Sequence, residues 1–284
     1  MSPPRSFTAQ KVIASAELLR EAGVDTINVS DSPMARMRMS PWAVCHLIQS
    51  HVGLETVLHF PTRGRNLLRV QGDLLAAHAL NVRNLFVVMG DPTVIGDYPD
   101  AFDTHDIAPS GLIRLVKHSL NAGKDQAGNS IGQPTSFHVG CALNINARDL
   151  DHEIKLLRKK IDAGANFALT QPIFDPAVVE RFLKAYHEQY GDLELPVLVG
   201  ILPLYGARHA AFLHNEVPGI DIPDVIQERI AAAGDRSPAE GVTIAQELVR
   251  SIKDMAQGIY IMPAFGRYDL AAGVIDVLER TRVP

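Results

Sequence analysis

NLFVVMGDP, residues 84–92, is the stretch on which the fold turns. Leu85, Phe86, Val87 and Val88 form a short unbroken apolar run, the pattern of a strand in a parallel sheet covered on both faces. Gly90 lets the backbone turn tightly, and Asp91 then stands at the strand's C-terminal mouth. Working outward in both directions, the same plan recurs: apolar strand, polar residue at its end, loop, amphipathic helix.

Strands are predicted over 25–30, 55–60, 84–90, 136–144, 166–173, 196–203 and 258–265. Helices are predicted over 8–22, 41–51, 65–80, 110–121, 149–163, 175–190, 207–215, 224–233, 238–257 and 269–280. Gly23 reads as a C-cap and Ser40 as an N-cap. The loop over 91–108, rich in Asp, Pro and Gly, is long enough to be functional or mobile.

Alternation of strand and helix implies a parallel sheet and an α/β fold. Seven such units behind an orphan leading helix suggest a (β/α)8 TIM barrel. Its first strand would be missing or reduced to Met1–Pro4, and extra helices would precede the last strand. All of residues 1–284 would form one domain. The rival, a doubly wound open sheet, favours a GxGxxG fingerprint that does not occur.

A net charge of −5 gives no reason to expect nucleic-acid binding. No apolar run is long enough to suggest a membrane span, and MSPPRSFTAQK has no signal-peptide core, so a cytoplasmic location is the default. Cys45 and Cys141 cannot build a disulfide framework and read as reduced thiols. There is no HExxH and no metal-spaced cluster, so no catalytic metal is expected; no GxSxG points to acyl transfer. The strand mouths gather Ser30, Asp31, His59, Gly90, Asp91, Asn144, Asn146, Thr170, Gln171 and the aromatics near 265–268. Hydrogen-bonding groups among apolar walls suit a large planar cofactor or substrate.

The stretches AGVDTINVSDSP (22–33), HFPTRGRN (59–66), NLFVVMGDPT (84–93), KKIDAGANFALTQPIFD (159–175), VGILP (199–203) and IMPAFGRYD (261–269) carry a resemblance. The chain resembles the methylenetetrahydrofolate reductase family, flavin-dependent barrels of one-carbon metabolism. Its closing MPAFGRY is most similar to the branch fused to a homocysteine methyltransferase, a second domain not expected within these 284 residues. The resemblance implies FAD as cofactor and reduction of 5,10-methylenetetrahydrofolate to 5-methyltetrahydrofolate. NADH or NADPH would donate the electrons, and one pocket would admit the two substrates in turn.

The resemblance also implies roles. Asp91 would sit near the flavin ring and contact the folate, where alone it reads equally as a turn-forming Asp. Gln171 would hydrogen-bond the folate, and Phe265 would stack on its pterin or serve as core. Ser30, His59, Met89, Gly90, Asn144 and Lys160 would contact the flavin. Taken singly, His59 is as readily structural and Lys160 a solvated helix residue.

One departure stands out. The family's first-strand glutamate, the proposed acid for ring opening, would fall just before Met1, although Pro3 and Pro4 match the prolines that follow it. A start placed too late would explain this. The alternative is a flavin- or folate-binding subunit of a reductase complex, weak or inactive alone and served by an electron-delivering partner. A homo-oligomer is equally compatible with the sequence.

Overall fold

The computed structural model describes residues 1–217, 219–263 and 266–278. Its residues fall into two compact units, Met1–Ala142 with Arg158–Asn166, and Leu143–Leu157 with Phe167–Pro284.

The first unit opens with α1 (Gln10–Ala22), closed by Gly23 at φ +87°, whose N–H reaches the Arg20 carbonyl. Four strands then alternate with helices: β1 (Thr26–Val29), α2 (Pro41–Val52), β2 (Glu55–Pro61), α3 (Leu67–Ala79), β3 (Asn84–Val88), α4 (Pro109–His118) and β4 (His138–Leu143). The strands pair in parallel and in chain order, β1 with β2, β2 with β3 and β3 with β4. That monotonic order has no switch point, so the doubly wound alternative fails. Most residues of β2 and β3 are buried, as expected of a sheet covered on both faces. Leu58, Phe60, Leu85 and Val87 of the strands and Val44, Ile48 and Leu74 of the helices are all buried. Cys45 and Cys141 are both buried.

On the open edge of β1 the chain start supplies a fragment of strand. The Met1 amino group donates to the Asn28 carbonyl, and the Ser30 N–H donates to the Met1 carbonyl at 3.0 Å. These bonds flank Val29 in the manner of a parallel ladder. This pairing falls within Met1–Pro4, the segment where a remnant of a first strand is expected.

The second unit continues the alternation after α5 (Leu150–Asp162), which the two units divide. It contains β5 (Phe167–Pro172), α6 (Ala177–Tyr190), β6 (Val197–Ile201), α7 (Ala207–Glu216), α8 (Asp224–Ala233), α9 (Ser237–Ile252), β7 (Gly258–Ile261) and α10 (Tyr268–Ile275). Here too β5, β6 and β7 pair in parallel and in order. The extra helices expected before the last strand are α7, α8 and α9. They close a small core of their own around Phe174, Leu213, Ile222, Ile230 and Ile244. Repetition of β and α with parallel pairing in chain order is the TIM-barrel-type α/β plan.

Several element ends differ from expectation. β3 ends at Val88, because the amides of Thr62 and Arg63 take the Val88 and Met89 carbonyls and draw the chain into its turn. β7 ends at Ile261 rather than 265, and residues 264–265 lie outside the described chain. Ser40 precedes α2 but does not cap it: its hydroxyl is buried without a hydrogen bond. Pro41 at the first helical position already removes one of the donors such a cap would serve.

Candidate functional site

In the first unit the site is built on the turn after β3. Gly90 has φ +92°, and a Cβ there would lie 2.9 Å from the Pro61 side chain and 3.1 Å from that of Arg63. Only glycine lets the turn lie flat against the end of β2. Arg63 fixes the turn by donating from Nη1 to the Asp91 carbonyl at 2.5 Å. The exposed Met89 side chain stands beside it. A cavity of about 420 Å3 opens here, lined by Arg63, Met89, Gly90, Pro92, Asp103, Thr104 and His105. That volume lies within the range of small-molecule sites.

The Asp91 carboxylate is engaged across the unit. Oδ2 accepts the Met34 backbone N–H at 2.5 Å. Met34 lies in the loop after β1, where Ser32, Met34 and Ala35 all have positive φ (43°, 56° and 52°) without being glycine. Left-handed backbone of this kind costs on the order of 1 kcal/mol or more per residue. It persists because its surroundings hold it. Asp31, at the start of the loop, accepts from Arg65 Nη2 at 2.6 Å, and Arg65 also reaches Asp73 at 3.2 Å. The Arg65 guanidinium lies over the Phe60 ring at 4.3 Å and the Trp42 ring at 5.3 Å.

Ser30 and His59 occupy the neighbouring mouths. The Ser30 hydroxyl lies 3.3 Å from the Met1 carbonyl and 3.3 Å from Ser2 Oγ. His59 Nε2 lies 3.2 Å from Asn28 Oδ1, and its ring packs against Phe86 at 4.7 Å. Burial, then the positive charge of the N-terminus, pushes the imidazole down to about 3. At neutral pH His59 therefore offers hydrogen bonding and no positive charge. Lys160 is not a solvated helix residue: its ammonium donates to the Ala142 carbonyl at the end of β4, at 2.6 Å.

In the second unit Gln171 is the single exposed residue of β5. A register shift between Leu169 and Pro172 accounts for this. Buried Thr170 accepts the Gly200 N–H and donates to the Gln171 carbonyl, both at 2.7 Å. Such a bulge re-aims the following side chain. Asn144 follows β4; its N–H donates to Glu153 Oε1 and its Oδ1 accepts from the Asn146 N–H, both at 3.1 Å. Phe265 lies outside the described residues.

Met89, Gly90 and Asp91 are thus brought together on one turn, with Ser30 and His59 on adjacent strands of the same unit. Arg63, Asp103, Thr104 and His105 were not singled out from the sequence. For Asp103, Thr104 and His105 the signal is the length of the 91–108 loop; Arg63 lies in the HFPTRGRN stretch. Among the described residues no group of three or more His, Cys, Asp or Glu could hold a metal ion. No described helix is long and apolar enough to cross a membrane.

The family model of methylenetetrahydrofolate reductase matches residues 1–265. The chain belongs to that family. Methylenetetrahydrofolate reductase 2 of Saccharomyces cerevisiae is 25% identical over 185 residues, 64% of this chain and 29% of that protein. Methylenetetrahydrofolate reductase 1 of Schizosaccharomyces pombe is 23% identical over 241 residues, 84% and 37% respectively. A probable methylenetetrahydrofolate reductase (NADPH) of Caenorhabditis elegans is 25% identical over 241 residues, 82% and 32%. The chain spans about a third of the length of these family members. Among solved structures, an uncharacterized Clostridium thermocellum protein described as binding two copies of 5-methyl-5,6,7,8-tetrahydrofolic acid superposes with a TM-score of 0.67. At 12% identity, covering 98% of this chain and 91% of that one, it shares the fold.

Proposed function

We infer that the chain reduces 5,10-methylenetetrahydrofolate to 5-methyltetrahydrofolate, with FAD as cofactor and NADH or NADPH as donor. Residues 1–284 would work as one reductase domain, in cytoplasmic one-carbon metabolism that feeds methionine synthesis. The observation that carries this reading is the Gly90–Asp91 turn beside the cavity, in a chain of this family.

The donor set fits a flavin. A flat glycine turn, an exposed thioether, the Arg63 guanidinium and polar groups of the 103–105 segment offer both a surface for a ring and partners for its polar edge. FAD, when bound, supplies the hydride chemistry between the nicotinamide and the folate. The chain's own residues orient and tune. Asp91 places a carboxylate at the strand mouth, where negative charge disfavours an anionic ring nearby. Ser30 and neutral His59 give hydrogen bonds, and Met89 an apolar contact. Gln171 presents both a carbonyl and an amide to the folate. In support, the Clostridium thermocellum protein of the same fold is described as binding a methylated tetrahydrofolate.

The Gln171→Leu variant tests this reading. Loss of the polar partner should lower folate kcat/KM by about 10-fold or more, the effect of leaving a substrate's hydrogen-bonding groups unpaired. Anaerobic flavin reduction by NADH should keep its rate. Equal slowing of both half-reactions, or of neither, would contradict the assignment.

A further inference from the structure

We propose that the strained turn Ser32–Ala35 is the positioning element of Asp91, and that Gly96 is the residue that permits it. The proposal rests on the reading of Asp91 given above. Three observations meet at this turn.

First, the Met34 N–H donates to Asp91 Oδ2 at 2.5 Å. Bonding one carboxylate oxygen to a fixed backbone donor sets the plane of the group. That bond engages one oxygen and leaves the other for a further partner. Second, the donor is held in an unusual backbone. A turn with three left-handed non-glycine residues has few alternatives once braced, so it presents its N–H in one direction. Strain of this kind clusters where groups must be pre-organised.

Third, the brace is visible at both ends. Arg65 anchors Asp31 at 2.6 Å, and the Ser32 hydroxyl donates to Asp31 Oδ1 at 3.0 Å. At the other end the segment after β3 presses on Ala35. A Cβ on Gly96 would lie 2.2 Å from the Ala35 carbonyl oxygen and 2.6 Å from its Cβ. The Asp97 N–H approaches that same carbonyl at 3.4 Å, and Asp97 is tied to Arg5 at 3.2 Å. Asp91 and Gly96 belong to one loop, which therefore grips the turn twice: through the carboxylate at Met34 and through bare backbone at Ala35. Arg63, bonded to the Asp91 carbonyl, holds the root of that loop. Meeting a strained turn at two points gives Asp91 an orientation that a solvent-exposed aspartate on a free loop would lack.

Gly96→Ala is the decisive variant, because it pushes Ala35 away without touching Asp91. Ala35→Gly is the milder companion: it relaxes the turn while keeping every donor, and it folds even if Gly96→Ala does not. The first readout is amide hydrogen exchange over residues 33–36 in protein without added cofactor. Exchange at Met34 should rise ~10-fold in Asp91→Ala and in Gly96→Ala, the effect of one lost hydrogen bond, and to a lesser degree in Ala35→Gly. The second readout is the midpoint potential of FAD bound to each variant. Both glycine-site variants should move it in the same direction as Asp91→Asn. Their folate kcat should fall, by ~10-fold or more for Gly96→Ala, with KM little changed, as misplacement of a reacting-site group predicts. Wild-type exchange at Met34 in Asp91→Ala would overturn the proposal, as would folded, flavin-loaded variants with wild-type potential and kcat. Failure of the wild-type chain to bind FAD would instead count against the function proposed above. The exchange measurements would still decide the positioning role.

Discussion

His59 and Thr170, one in each unit, show what single side chains contribute at a strand end. His59 is neutral in the folded chain because burial lowers its affinity for a proton to a pKa of about 3, well under the ordinary value near 6.5. The unfolded chain therefore binds the extra proton between those values. Stability attributable to His59 is present above pH ~6.5 and declines as the pH falls, at a slope approaching ~1.4 kcal/mol per pH unit. Denaturant unfolding of wild type and His59→Asn between pH 7 and pH 5 should show wild type losing stability more steeply, by an increment approaching ~1.4 kcal/mol per pH unit, over the slope both share from other depressed histidines such as His209. Parallel curves would contradict it. Thr170 satisfies the Gly200 N–H and the Gln171 carbonyl with one hydroxyl. Thr170→Val keeps the shape and removes both bonds, so unfolding should become easier by ~1–3 kcal/mol. Folate KM should rise as well, because the bulge that turns Gln171 outward loses its pin.

At the scale of elements, α9 offers a test of close packing. Gly241 sits inside this helix, where alanine would ordinarily be favoured by ~1 kcal/mol. A Cβ there would lie 1.7 Å from the Leu204 carbonyl oxygen. Gly241→Ala should therefore destabilise the chain by ~1–3 kcal/mol, the cost of overpacking. An unchanged or raised melting temperature would show that the α9 contact is not tight. The strands and helices were largely legible because their signals are local: apolar runs such as LFVV, and helical periodicity ended by glycine, as at Gly23. Other features depend on distant partners. Nothing in SPMA (32–35) marks a left-handed turn, since none of those residues favours positive φ. The bulge in β5 leaves no mark on the apolar pattern of FALTQP, because it is set by the pairing with β6. Ser40 had the right residue type for a cap, yet its hydroxyl makes no cap bond. Residue type supplies the option, and the geometry of the helix entry decides whether it is used.

For the whole molecule, the family and the barrel-type plan were legible in the motifs at the strand ends, since those residues are spaced by the β/α repeat itself. Asp91 was legible as a mouth residue; its bond to Met34 was not, for it spans 57 positions of sequence. The proposed activity is a complete flavin-mediated reduction of methylenetetrahydrofolate. The direct measurement is the visible spectrum of the purified chain reconstituted with FAD, followed under anaerobic addition of NADH or NADPH and then of methylenetetrahydrofolate. The expected result is a bound flavin spectrum that bleaches with the nicotinamide and recovers with the folate. Bleaching without recovery would contradict the complete cycle and favour a subunit that needs an acid from elsewhere. Absence of any bound flavin would contradict the cofactor assignment itself.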